Sequence, residues 1–149
     1  PDGQVRVELR KIHWTHHGWG FHQTYSPGDF PDRIDAVLID GPPGWMSRGR
    51  EACLYQVFSR LKVGGIAILD DFGRPREQRA AVNWRSVFGD GIDLETVSVG
   101  HGLCVVIKRR QTSPTWHSSS LLGPAISSHA LYLRTFAAWC LGRPSGVLG

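Results

Sequence analysis

Polar and apolar positions alternate over residues 4–9, with Val5, Val7 and Leu9 set against Arg6 and Glu8, which predicts a short half-buried strand. Residues 10–33 show no period and are rich in His, Trp, Gly and Pro, so a long connection is expected there. An apolar run over 35–40 then ends in Asp40, and Gly41-Pro42-Pro43-Gly44 cannot continue it as a strand. Cys53, Leu54, Val57, Phe58 and Leu61 fall on one face of a helix, predicted over 48–62 with Ser47 as its cap and Gly64-Gly65 as its end. A second apolar strand, 66–70, follows and also ends in carboxylates, Asp70 and Asp71. Strand, helical crossover and strand make a βαβ unit, which implies two neighbouring parallel strands and a right-handed connection.

Further along, Pro75 suits a first helical turn, and Ala80, Ala81, Trp84, Val87 and Phe88 form the buried stripe of a helix over 75–88. Residues 94–99 alternate as a strand, His101-Gly102 makes a tight turn, and 103–107 is apolar on both faces, as an interior strand is. The Ser-, Pro- and Thr-rich stretch 111–128 reads as a linker. A helix over 127–141 carries apolar residues around most of its circumference and must dock on something. The organisation expected is α/β: one incomplete domain over 1–110, then a linker and a C-terminal helix over 111–149.

Composition narrows the classes. Of 149 residues, 41% are hydrophobic and 20% charged, which excludes a disordered chain. The net charge of +4 allows an anionic ligand. Basic residues are scattered apart from Lys108-Arg109-Arg110, so a small molecule rather than nucleic acid is the expected partner. The three cysteines, Cys53, Cys104 and Cys140, form no CxxC pair and an odd set, which points to a reducing cytoplasm. The apolar run 130–141 contains Arg134 and is too short to span a bilayer, so no membrane is expected. The N-terminus, with no initiator Met or leader pattern, reads as a cut inside a longer chain.

Candidate chemistry gathers at the two acid-tipped strand ends, because ligands of open α/β sheets bind where parallel strands finish. Adjacent strands lie about 4.8 Å apart, so Asp40 can face one of Asp70 and Asp71. Those two diverge unless the chain has already turned. Carboxylates about 5 Å apart repel by roughly 3 kcal/mol at an effective dielectric near 20. Mg²⁺, a shared proton, or Arg74 or Arg76 would offset that. The proline pair forms a stiff shelf with open carbonyls. His13, His16, His17 and His22 lack the zinc-protease Glu and any Cys pair, and are expected in a solvated loop.

Residues 30–110 resemble the second half of a class I S-adenosylmethionine-dependent methyltransferase, in particular the methyltransferase family 24-like group. The likeness lies in a strand ending Ile39 to Gly44, a helix with Arg48 or Arg50, and Gly64-Gly65. A strand ending Leu69 to Asp71, then Arg74 to Glu77, complete it. It implies a Rossmann-like open sheet, mostly parallel, whose final antiparallel hairpin inserts its last strand inside the sheet. It also implies Asp40, Pro42, Pro43 and Asp71 beside the transferred methyl group, Asp40 and Gly41 against S-adenosylmethionine, and Asp40, Asp70 and Asp71 as Mg²⁺ ligands. The glycine-rich cofactor loop of that family is not in this sequence, so the chain reads as a fragment.

Two other readings compete. A nucleic-acid amino-methyltransferase carries Asp-Pro-Pro-Tyr at this strand end, but here Gly41 intervenes and Trp45 comes one position late. A non-catalytic binding or scaffold module would keep the sheet without the cofactor half. An ATPase reading of 66–71 fails for want of a phosphate-binding Gly-x-x-x-x-Gly-Lys sequence.

Overall fold

The structure is a computed structural model that describes residues 9–18, 20–26, 28–43, 46–116 and 122–141. The strand expected over 4–9 lies almost wholly outside the described residues. The described residues form two sheets. Strands β1 (Ile12–His17) and β2 (Gly20–Tyr25) form an antiparallel pair. The loop expected over 10–33 is therefore largely a hairpin, and its histidines stand on strands. Of these two strands only β2 shows clean period-two burial, with Gly20, His22 and Thr24 buried, so polar side chains on the inner face conceal the pattern.

The main sheet has the order β3 (Ile34–Ile39), β4 (Leu61–Leu69), β6 (Leu103–Lys108), β5 (Ile92–Val97). Strands β3 and β4 run parallel, while β6 is antiparallel to both of its neighbours. The last strand thus sits inside the sheet, giving an open mixed α/β sheet.

Helix α1 (Gly49–Val57) is shorter than the apolar stripe predicts. Two contacts end it. Lys108 is fully buried and its Nζ donates to the carbonyls of Phe58 and Leu61 at 2.8 and 2.6 Å. Ile34 N–H takes the Arg60 carbonyl at 2.9 Å. Residues 61–65, expected in the helix and its terminating turn, instead begin β4, with Gly64 at φ 82° inside the strand. Ser47 does not cap α1. Its carbonyl accepts from Gln23 N–H at 2.8 Å and its own N–H donates to Gln23 Oε1 at 3.3 Å, so β2 holds it.

Helix α2 (Pro75–Phe88) has the predicted bounds. With α1 it covers one face of the main sheet, around Trp84, Leu54, Leu69, Ile92 and Val106, all buried. The indole N–H of Trp84 donates to the Glu51 carbonyl at 2.9 Å, pinning α2 to α1. The opposite face carries Ile66, Ile68, Val105 and Ile107, half-buried, and Leu38, 68% exposed.

Residues 111–116 are not a loose linker: Thr115 N–H donates to the Val87 carbonyl at 2.8 Å, and Trp116 packs on the core. Helix α3 (Leu122–Cys140) starts earlier than predicted and docks on the hairpin through Tyr132, stacked on Phe21 with centroids 4.1 Å apart. No described helix is long and apolar enough to cross a membrane. Cys53, Cys104 and Cys140 are free thiols.

Candidate functional site

The register of the parallel pair places the first acids. Ile39 lies opposite Leu69, and Asp70 N–H donates to the Ile39 carbonyl at 3.1 Å, so Asp40 and Asp70 leave the sheet at one level. Asp71 then adopts a left-handed backbone, φ 58°, which Asp tolerates better than most residues. The turn is held from outside: Phe72 and Gly73 donate to the carbonyls of Gly102 and His101 at 2.9 and 2.7 Å. The chain has therefore turned, and Asp70 and Asp71 do not diverge. One carboxylate oxygen from each of Asp40, Asp70 and Asp71 lies within 4.8 Å of the others.

A buried guanidinium ties these ends together. Arg50 Nε donates to the Pro42 carbonyl at 3.2 Å, Nη1 to the Asp70 carbonyl and Asp71 Oδ2 at 3.1 and 3.0 Å, and Nη2 to the Asp40 carbonyl at 3.1 Å. Nη2 also lies 3.5 Å from Asp40 Oδ1, and Nε 3.8 Å from Glu77 Oε1. Gly49 permits this close entry of α1, since a Cβ there would lie 2.3 Å from Pro42 Cγ and 2.4 Å from the Gln23 carbonyl. Arg74 adds a second cation, 2.9 Å from Asp71 Oδ2.

Of the two cations the sequence suggested for offsetting the acids, Arg74 does so. The main partner is Arg50, which enters the family resemblance, as an alternative to Arg48, only as the arginine of the crossover helix. A signal for it existed: Arg50 stands four residues before Leu54, so it occupies the apolar stripe of α1. A charge on that stripe needs a buried acceptor.

The shelf is only half as expected. Pro42 is fully buried and its carbonyl is occupied by Arg50, whereas Pro43 is exposed. Pro42 and its carbonyl are thus closed to a ligand.

Four carboxylates, those of Asp40, Asp70, Asp71 and Glu77, share this region with the guanidinium groups of Arg50 and Arg74, a surplus of two negative charges. The surplus is on the open side. The Asp40 side chain is 62% exposed, and the Asp70 carboxylate has no hydrogen-bond or ion-pair partner among the described residues. Hard oxygens in this arrangement suit a small divalent cation, with Asp40 and Asp70 as ligands and Asp71 shared with the arginines.

A second buried polar network, which no periodicity or motif of the chain signals, lies on the other side of α1. The Glu51 carboxylate accepts from Arg48 through both oxygens (2.9 and 2.5 Å), from Tyr55 Oη at 2.8 Å and from Asn83 Nδ2 at 3.0 Å. His22 Nε2 lies 3.6 Å away. Burial alone would raise the Glu51 pKa, but Arg48 and His22 outweigh it and hold the carboxyl down at about 2. Burial, reinforced by the charge of neighbouring His22, lowers His17 to about 4. Burial, then Glu51, raises Tyr55 well above the ordinary phenol range. His101 lies in the β5–β6 turn, as expected, and is exposed.

No protein-family model matches this chain, and no curated protein matches it in sequence.

Proposed function

We propose that the chain belongs to a Rossmann-like, S-adenosylmethionine-dependent methyltransferase and carries its acceptor side, acting on a small molecule by O-methyl transfer in a reducing cytoplasm. The observation that carries this reading is the surplus of negative charge at two adjacent parallel strand ends, with Asp40 and Asp70 facing outward. The interior position of β6, the strand the resemblance would insert, supports it.

S-adenosylmethionine supplies the methyl group, as a sulfonium cation that an anionic site favours. In this reading Asp40 and Asp70 attract positive charge to the strand ends, while Arg50 fixes both ends at one spacing. Asp71, held by two arginines, keeps the turn closed and so sets where Asp70 stands. The same acids fit Mg²⁺, which would lower the pKa of an acceptor hydroxyl.

The test is calorimetry of S-adenosylmethionine with the longest natural form of the protein, at low salt, with and without Mg²⁺. Saturable binding that Asp40→Asn/Asp70→Asn weakens about tenfold, some 1.4 kcal/mol, supports the reading. No binding by the unaltered protein overturns it and favours the scaffold module. That second reading has its own support in β3, which pairs only with β4 among the described residues and leaves an edge open to another strand.

A further inference from the structure

A cavity of about 530 Å³ lies between the N-terminal turns of α1 and α2, under α3. It is walled on one side by Arg50 and Glu77 of the acid cluster and on the other by Arg48, Glu51 and Asn83 of the second network. Its size falls within the range of small-molecule pockets.

Two wall residues carry buried acceptors without donors. Glu77 is 3% exposed and Asn83 1% exposed; Glu77 Oε2 and Asn83 Oδ1 have no hydrogen-bond partner among the described residues. An acceptor left in this state is costly, so each is a place for an incoming N–H or O–H. The charge of the wall decides which. Arg48 is matched by Glu51 and Arg50 by Asp71, while Arg79 at the cavity mouth favours a molecule that carries an anionic group beside neutral hydroxyls. Arg76 and Arg79 stand one turn apart at the exposed end of α2, where guanidinium groups suit a phosphate or carboxylate. Met46, Ala80 and Leu131 supply apolar wall between the two poles.

We propose that this cavity binds a small polyhydroxylated anion of the sugar-phosphate class, its hydroxyls donating to Glu77 and Asn83 and its phosphate held by Arg76 and Arg79. The inference stands on the cavity's lining and goes beyond methyl transfer. Binding without S-adenosylmethionine binding would remove the enzymatic reading and leave this one.

The test is titration of the chain, followed by amide chemical shifts of α2, with glucose 6-phosphate, ribose 5-phosphate and glycerol 3-phosphate as probes. At least one is expected to saturate with a Kd of about 1 mM or tighter, with inorganic phosphate and the unphosphorylated parent at least about tenfold weaker. Arg79→Ala, at an exposed position, should weaken binding about tenfold. Leu131→Trp, which fills the cavity from α3, should abolish it. Each variant is first checked for an unchanged spectrum away from the cavity. The proposal is overturned if no probe saturates, if phosphate alone binds as well as the esters, or if both variants bind like the parent chain.

Discussion

Arg50 and Glu51 are neighbours on α1, yet each anchors a different polar network, and the two networks are built to opposite ends. Around Glu51, Arg48, Tyr55 and Asn83 meet one buried carboxylate, and both of its oxygens are satisfied. Around Arg50, the imbalance runs the other way: one guanidinium serves three carbonyls and two carboxylates, and Asp40 and Asp70 keep unclaimed charge toward solvent. A closed network with matched charge fixes how the hairpin, α1 and α2 meet. An open one with surplus charge costs stability and is where a cation is to be sought.

The contrast breaks first at Arg50. Arg50→Met removes the cation that offsets the strand-end acids and orphans the carbonyls of Asp40, Pro42 and Asp70. A loss of about 3–5 kcal/mol is expected in urea unfolding. Arg50→Lys should recover little, because an ammonium cannot span the same acceptors. If Lys restored full stability, the forked geometry would be unimportant.

Glu51→Gln comes next. It leaves half-buried Arg48 beside a neutral group, with an expected cost of about 2 kcal/mol and no change in any cation response of the acid cluster. A changed cation response would show that the networks are coupled.

Acid should act on the closed network in two phases. His17 is held to about 4 against an ordinary 6.5, so the unfolded chain binds more protons between those values and stability falls as pH falls from 6.5 to 4. Discounted for its partial exposure, this is on the order of 1 kcal/mol. Glu51, held at about 2 against 4.5, contributes stability present above pH 4.5 and lost as pH falls toward 2. His17→Asn should reduce the first phase, which buried His22, also held below 6.5 by burial, shares with it, and should keep the second, as read from denaturation midpoints at each pH.

The smallest effects belong to the open cluster. Asp40→Asn or Asp70→Asn alone should change stability by no more than about 0.5 kcal/mol, and in the stabilising direction, because each relieves repulsion. A loss above about 1 kcal/mol would mean that the acid is a structural partner.

The main sheet was legible because its strands are apolar and its crossover helix has one clean stripe. Helix α2 was legible to the residue, since Pro75 and the glycines after Phe88 mark its ends. The hairpin was not, because its inner face is His22 and Thr24 instead of aliphatic residues, and hydrophobic periodicity cannot register buried polar groups. Nor was the early start of β4, which depends on Lys108, distant in sequence, taking the carbonyls that would have carried α1 onward. The acids at the strand ends were readable from position alone. What holds them was not, although Arg50 on an apolar stripe was the clue.

The double variant Asp40→Asn/Asp70→Asn asks in one molecule whether both acids are kept for binding at the expense of stability. Thermal unfolding at low ionic strength, with and without Mg²⁺, is the measurement. The variant is expected to be at least as stable as the parent, by up to about 1 kcal/mol, and to have lost any stabilisation by Mg²⁺. A variant destabilised as severely as Arg50→Met, or one that keeps the parent's Mg²⁺ response, would contradict it.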